Sequence, residues 1–315
     1  RLLKRIPGRL AIATVMGNAL FSFVTGVSIA SAAAFSRIAY PEMKRFNYHK
    51  GFALGAIAGS SCLGMLIPPS VLMIVWGILT EQSIGQIFAA GVIPGLMLAS
   101  MFIIYVFIRA LMNPELVGGG EKADIEIEEV DDVSTVQFLI SLGGITLVVV
   151  AVLGGIWFGF FTPTEGAGAG ALIGLILGII KGMRIKDIIE SILLVGKTSA
   201  PILLLLITAA LYSRTLAMTG MANAIEGLFL DSGMAPWMII TVMVAIWFAL
   251  GMIIDSISIM LLTAAIFAPI AVKLGFDPIA FAIIGIIAIE AGLYTPPFGL
   301  LVYTVKSAIQ EFEPD

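Results

Sequence analysis

The sequence predicts an all-α polytopic membrane protein built from two inverted repeats. Each repeat pairs a re-entrant helical hairpin with a broken transmembrane helix. Three observations predict this. First, the chain is 59% hydrophobic and only 12% charged, with a mean hydropathy of +1.08, a composition of membrane-embedded helices. Second, its apolar runs are continuous, not the alternating segments of about ten residues that membrane strands show. Third, a Pro-Pro pair interrupts two of the long apolar runs, at Pro68-Pro69 and at Pro296-Pro297. Each proline removes a backbone donor and crowds the preceding turn, and it pushes the residue before it out of the helical region. One such pair is compatible with a simple kink. Recurrence in corresponding places of two halves points to half-helices separated by unwound residues at membrane depth.

Composition also excludes function classes. The single Cys62 and single His49 leave no Cys/His metal cluster and no disulfide framework, and no Ser-His-Asp or Cys-His catalytic set. An enzyme is therefore not expected. The net charge of −4 says less than its distribution. The chain begins at Arg1 and shows no signal peptide, so a missing N-terminal portion is expected.

In order, Arg1, Lys4, Arg5 and Arg9 make a basic start. Leu10–Ala39 is apolar but rich in small and hydroxyl residues. It reads as a hairpin turning at Thr25-Gly26-Val27-Ser28, because two limbs of about 13 residues suit half a bilayer, which takes roughly 20 residues to cross. One long tilted helix is the alternative. Residues 52–79 are the first broken helix and 87–111 a plain span. Residues 112–136 form an acidic linker on the cytoplasmic side, holding Gly118-Gly119-Gly120 and eight carboxylates against Lys122; self-repulsion keeps such a segment extended.

The second repeat, 137–315, begins with spans at 138–158 and 166–180. Thr162-Pro163-Thr164-Glu165 starts the latter, with proline near the first helical position and a threonine–glutamate capping pair. Residues 181–197 read as an interfacial arm helix with basic and apolar faces, followed by a span at 200–218. Pro236–Leu274 is the second hairpin, with Gly251, Asp255, Ser256 and Ser258 at its polar middle. Pro278–Ser307 is the second broken helix.

Positive-inside counting supports the hairpins. With both re-entrant, the cytoplasmic face receives 15 of the 17 Lys and Arg residues; with both crossing fully, the bias blurs. The halves then enter from opposite faces. The spacing from turn to proline pair is also similar, 43 residues from Thr25 to Pro68 and 41 from Asp255 to Pro296.

Such a pair of hairpin and broken helix offers unwound carbonyls, hydroxyls and half-helix termini. Oxygens suit Na⁺, and half-helix N-termini suit a carboxylate. The candidate substrate and Na⁺ residues of the first half are Thr25, Gly26, Ser28, Ser60, Ser61, Gly64 and Pro68. Those of the second half are Gly251, Asp255, Ser256, Ser258, Thr295, Pro296 and Gly299. A hydroxyl in a membrane helix commonly bonds its own helix; clustering at the breaks is what singles these out. Asp255 stands apart, because a carboxylate in the apolar core is costly and is a functional hypothesis by default. A cap at the hairpin turn is its rival role. Glu290 is a second buried-carboxylate candidate, with bonding to free amides of the broken helix as its alternative.

The stretches Thr25 to Ala34, Gly64-Met65-Leu66-Ile67-Pro68-Pro69-Ser70, Ser83-Ile84-Gly85, Thr162 to Glu165, Gly251-Met252 with Asp255, and Leu293 to Gly299 together resemble the large membrane (M) subunit of tripartite ATP-independent periplasmic (TRAP) transporters. The resemblance covers essentially the whole chain. It implies a Na⁺-driven importer in the bacterial inner membrane, moving a small organic acid of sialic-acid or C4-dicarboxylate type. It further implies elevator motion, a periplasmic substrate-binding protein, a small membrane Q subunit, and no cofactor beyond Na⁺ as coupling ion. Two departures stand out. Family members have further N-terminal helices before the first hairpin, and many read Gly-Ser-Ser where this chain has Thr-Gly-Val-Ser. A stand-alone divalent-anion/Na⁺ symporter is the second reading. A non-transporting scaffold or intramembrane enzyme is the third, and no nucleophile or metal set favours it.

Overall fold

The computed structural model describes residues 6–118 and 143–313. Among them every regular element is a helix, and Tyr48 and Val117 form one isolated bridge. The first half holds α1 (Arg9–Thr25), α2 (Ser28–Arg45), α3 (Lys50–Ser61), α4 (Leu63–Leu66), α5 (Val71–Thr80) and α6 (Ile84–Met112). The second holds α7 (Gly143–Trp157, with a π-helical stretch over Val150–Gly154), α8 (Pro163–Ile180), α9 (Ile185–Met218) and α10 (Met221–Leu230). It continues with α11 (Pro236–Gly251), α12 (Ser256–Lys273), α13 (Pro278–Gly292) and α14 (Leu300–Ala308). Among the described residues, five stretches are long and apolar enough to cross a membrane: Lys50–Thr80, Ile84–Met112, Pro163–Ile180, Ile185–Met218 and Ser256–Lys273.

The chain reverses between α1 and α2. Gly26 sits at φ 62°, the left-handed region that closes a helix without steric cost to glycine, and its N–H donates to the Ser22 carbonyl. Ser31 Oγ then donates to Asn18 Oδ1 at 2.7 Å. In one continuous helix, residues 13 apart would lie about 20 Å apart at 1.5 Å per residue, so this bond requires a fold-back. The edge-to-face pair Phe21–Phe35 closes the same seam. A second reversal joins α11 to α12. There Trp247 Nε1 donates to Thr263 Oγ1 at 2.7 Å across 16 residues.

Both proline pairs coincide with interruptions of helix. Between α4 and α5 the backbone is extended at Ile67 and Ser70, and Ser70 caps α5 by accepting from the Met73 N–H. Between α13 and α14 the helix ends at Gly292 and restarts after Gly299 at φ 58°.

The core interlocks the halves. One buried cluster joins Trp76 of α5 to Trp247, Phe267 and Phe281 of α11, α12 and α13, with edge-to-face or tilted rings 5.0–6.2 Å apart. The other joins Ile12, Tyr40 and Ile57 of α1–α3 to Leu301 and Val305 of α14. The second limb of each broken helix therefore packs into the core of the other half. Lipid is as apolar as leucine, so close packing and hydrogen bonds, not water exclusion, hold such helices together.

Two boundaries differ from the sequence reading. The sequence predicts an arm helix at 181–197 and a separate span at 200–218; the structure runs one 34-residue helix, α9, from Ile185 to Met218. Pro201 sits inside α9 without ending it; proline is tolerated inside membrane helices. A short helix, α10, also fills the Thr219–Gly233 turn region. The start of the 138–158 span and residues 119–136 of the acidic linker lie outside the described residues. The Thr162–Glu165 cap of α8 is present as a full capping box, with Glu165 N–H donating to Thr162 Oγ1 at 3.3 Å and Thr162 N–H to Glu165 Oε2 at 2.8 Å.

Candidate functional site: two hairpin turns against two helix breaks

The first turn is seated on the first break. The Val71 N–H, just past Pro68-Pro69, donates to the Gly26 carbonyl at 3.2 Å. A Cβ built on Gly26 would lie 2.6 Å from the Pro69 carbonyl oxygen, and one on Gly64 would lie 2.8–2.9 Å from the Val27 and Ser28 backbone. Glycine at both positions is what lets the two backbones touch. Pro68 is buried here, under α6, whose Gly95 comes within Cβ reach of Ile67 at 2.8 Å.

The second turn repeats the arrangement. The Phe298 N–H, just past Pro296-Pro297, donates to the Met252 carbonyl at 3.1 Å. Gly251 lies against α13, where its Cβ would be 2.7 Å from the Ile289 carbonyl oxygen. This break is open, unlike the first. Pro296 is exposed and borders a pocket of about 270 Å³ that Tyr294, Gly299, Tyr303 and Lys306 also line.

The candidate residues fall into distinct roles. Ser28 and Ser256, the first residues of α2 and α12, meet on one group: Ser28 Oγ donates to Glu290 Oε2 at 2.6 Å, and Ser256 Oγ to Oε1 at 2.8 Å. Ser60 Oγ accepts from Asn18 Nδ2 at 2.6 Å, and Asn18 in turn accepts from Ser31. Thr25, Ser61 and Thr295 bond carbonyls of their own segments, those of Phe21, Ala58 and Ala291. Asp255 is the N-cap of α12. Its Oδ1 accepts from the Ser258 N–H at 3.0 Å and its Oδ2 from the Ser258 hydroxyl at 2.5 Å. Asp255 is only partly buried; Glu290, 3% exposed, is the carboxylate in the core.

Sequence reasoning passed over Asn18 and Tyr294. Tyr294 Oη donates to the Gly59 carbonyl at 2.9 Å and accepts from the Cys62 N–H at 3.2 Å, tying the second break to the end of α3. A phenol beside a proline pair in an apolar run, with a hydroxyl needing a partner, was the available signal. No metal-holding group of three or more His, Cys, Asp or Glu side chains occurs among the described residues. The site is built from hydroxyls, carbonyls and two carboxylates, Asp255 and Glu290.

The family model described as the tripartite ATP-independent periplasmic transporter, DctM component, matches residues 1–314. This chain belongs to that family. The TRAP-family permease is thus a multi-pass membrane protein, and a transporter rather than an enzyme. It is 34% identical over 310 residues to the C4-dicarboxylate TRAP transporter large permease protein of Pseudomonas aeruginosa, covering 96% of this chain and 69% of the relative. It is 32% identical to the protein of that description from Rhodobacter capsulatus, covering 95% and 70%. Its identity to the sialic acid TRAP transporter large permease protein of Vibrio cholerae is 29%, covering 97% and 70%.

Proposed function

We propose that this permease imports a small organic acid across the bacterial inner membrane, driven by Na⁺, in an elevator motion of its hairpins and broken helices. The observation that carries the reading is the seating of each hairpin turn on a proline-interrupted helix in a chain of this family. Turns and breaks of this kind gather oxygen ligands for Na⁺ and half-helix N-termini for a carboxylate. The ligands are sought among Thr25, Gly26, Ser28, Ser60, Ser61, Gly64 and Pro68, and among Gly251, Asp255, Ser256, Ser258, Thr295, Pro296 and Gly299.

The inverted relation of the halves rests on the charge count, with 15 of 17 basic residues cytoplasmic when both hairpins are re-entrant. C4-dicarboxylate import is favoured over sialic acid, because the relatives at 34% and 32% identity bear that name and the sialic-acid relative stands at 29%. A periplasmic binding protein delivers the substrate and a Q subunit completes the membrane unit. A relative from Oleidesulfovibrio alaskensis, named isethionate TRAP transporter permease protein DctMQ, supports the joining of M and Q.

The test is uptake of labelled succinate and sialic acid into proteoliposomes holding the intact permease, its Q partner and the cognate binding protein. Accumulation is expected only with an inward Na⁺ gradient and only with the binding protein. Uptake indifferent to Na⁺ overturns the coupling. Uptake without the binding protein establishes the stand-alone symporter instead.

A further inference from the structure

Among the described residues, Glu290 is the charged side chain that lies fully inside the fold. It stands near the end of α13, three residues before Leu293 and the second break. A carboxylate there whose duty was to quench the free amides of its own interrupted helix would bond within α13. Its two hydrogen bonds instead leave the helix. One comes from Ser28, 262 residues away; the other comes from Ser256, 34 residues away.

The two donors occupy equivalent positions. Ser28 follows Val27, the N-cap of α2, and Ser256 follows Asp255, the N-cap of α12. Each opens the second limb of its hairpin, where unpaired amides and the positive end of the helix favour a nearby carboxylate. The two bonds take opposite oxygens of one rigid planar group. The Ser28 bond, 2.6 Å, has the length of a strong hydroxyl–carboxylate bond, and the Ser256 bond, 2.8 Å, that of an ordinary hydroxyl hydrogen bond.

We infer that Glu290 is a positioning residue that couples the two hairpin turns, holding the starts of α2 and α12 at one separation. The inference rests on the reading that Na⁺ binds at those turns. Displacement of the first turn then reaches the second through two hydrogen bonds and one carboxyl group. Occupancy of one Na⁺ site changes the affinity of the other, and the effect is reciprocal. Glu290 need not touch an ion to do this.

The test is the Na⁺ dependence of uptake in proteoliposomes with the Q partner and the binding protein, read as half-saturating Na⁺ and Hill coefficient. Wild type is expected above a Hill coefficient of one. Glu290→Ala is expected to fall to one. Glu290→Gln is expected to recover much of the cooperativity, because its amide accepts from one serine and donates to the other. Ser28→Ala and Ser256→Ala each cut one end of the same link. Their double variant should therefore lose no more cooperativity than either single. A Hill coefficient of one in wild type, one unchanged by Glu290→Ala, or additive losses in the double variant overturns the inference.

A second readout does not depend on Na⁺. Amide hydrogen exchange of the purified permease is expected to quicken at residues 26–31 and 255–259 together in Glu290→Ala, and at both in either serine variant. Quickening confined to α13 overturns the link. If wild type shows no Na⁺ dependence at all, the proposed function fails, while exchange still decides whether Glu290 joins the turns.

Discussion

Tyr294 donates its hydroxyl to the Gly59 carbonyl at 2.9 Å and accepts the Cys62 N–H at 3.2 Å. One phenol thus stitches the second helix break to the end of α3 across 235 residues of chain. Removing it takes one hydrogen-bond partner from the Cys62 N–H and one from the Gly59 carbonyl, which keeps the Cys62 thiol as a donor; a net hydrogen bond of this kind contributes about 0.5–1.5 kcal/mol. Tyr294→Phe is expected to lower the thermal unfolding temperature of the purified permease by several degrees, read by intrinsic tryptophan fluorescence. An unchanged transition would mean that the bond contributes nothing.

Glycine substitutions should separate contact from mere helix membership. Gly26→Ala places a Cβ 2.6 Å from the Pro69 oxygen, on a backbone at φ 62°. It is expected to cost more than about 1 kcal/mol and to abolish uptake. Gly55 in α3 has nothing within 4 Å of its would-be Cβ. Gly55→Ala is expected to be neutral or to stabilise by roughly 0.5–1 kcal/mol. Equal outcomes in a thermal-shift comparison would refute the seating of the turn.

Asp255 provides a test of cap against charge. Asp255→Ala removes an N-cap and is expected to destabilise by about 0.5–2 kcal/mol, whereas Asp255→Asn keeps an equally good cap. The stability order wild type, Asn, Ala, with Asn close to wild type, is the expected result in detergent unfolding. Loss of Na⁺ dependence in the Asn variant at unchanged stability would assign the charge a duty beyond capping.

At the C-terminal end, Glu313 bonds Lys50, Tyr40 and Lys44, which holds its carboxyl down at about 2, from an ordinary 4.5, with the Lys50 bond the largest cause. A depressed carboxylate contributes stability above its unfolded value and loses it as pH falls. The attachment is therefore intact above pH 4.5 and released between 4.5 and about 2. A nitroxide on a cysteine at the exposed position 311 is expected to gain mobility over that window. In Glu313→Gln it should be mobile throughout; a pH-independent spectrum in wild type would contradict the assignment.

The helical membrane character was legible because hydropathy is a local property of each run. The proline pairs were legible because a missing donor acts within one turn, and the structure has helix ends at Leu66 and Gly292. The Thr162–Glu165 cap was legible for the same reason. The continuity of α9 was not, since the change from basic to apolar composition at Lys197 marks no break in backbone bonding. Asp255 stood out as a charge in an apolar run, but its bonds to Ser258 are those of the local rival role. Glu290 was visible as a carboxylate and its partners were not. Ser28 lies 262 residues away, and one sequence carries no record of such a meeting. Asn18, which gathers Ser31 and Ser60, was hidden for the same reason.

The exchange of α5 and α14 between the two buried clusters bears on how the polypeptide matures. A fragment ending at Gly118 would carry Trp76 without the aromatic neighbours that enclose it, and would leave the bed of Leu301 and Val305 empty. Neither piece alone is a finished folding unit. The cluster around Ile12, Tyr40 and Ile57 stays incomplete until α14 has been synthesised, and severed halves should regain activity only when made together in one cell.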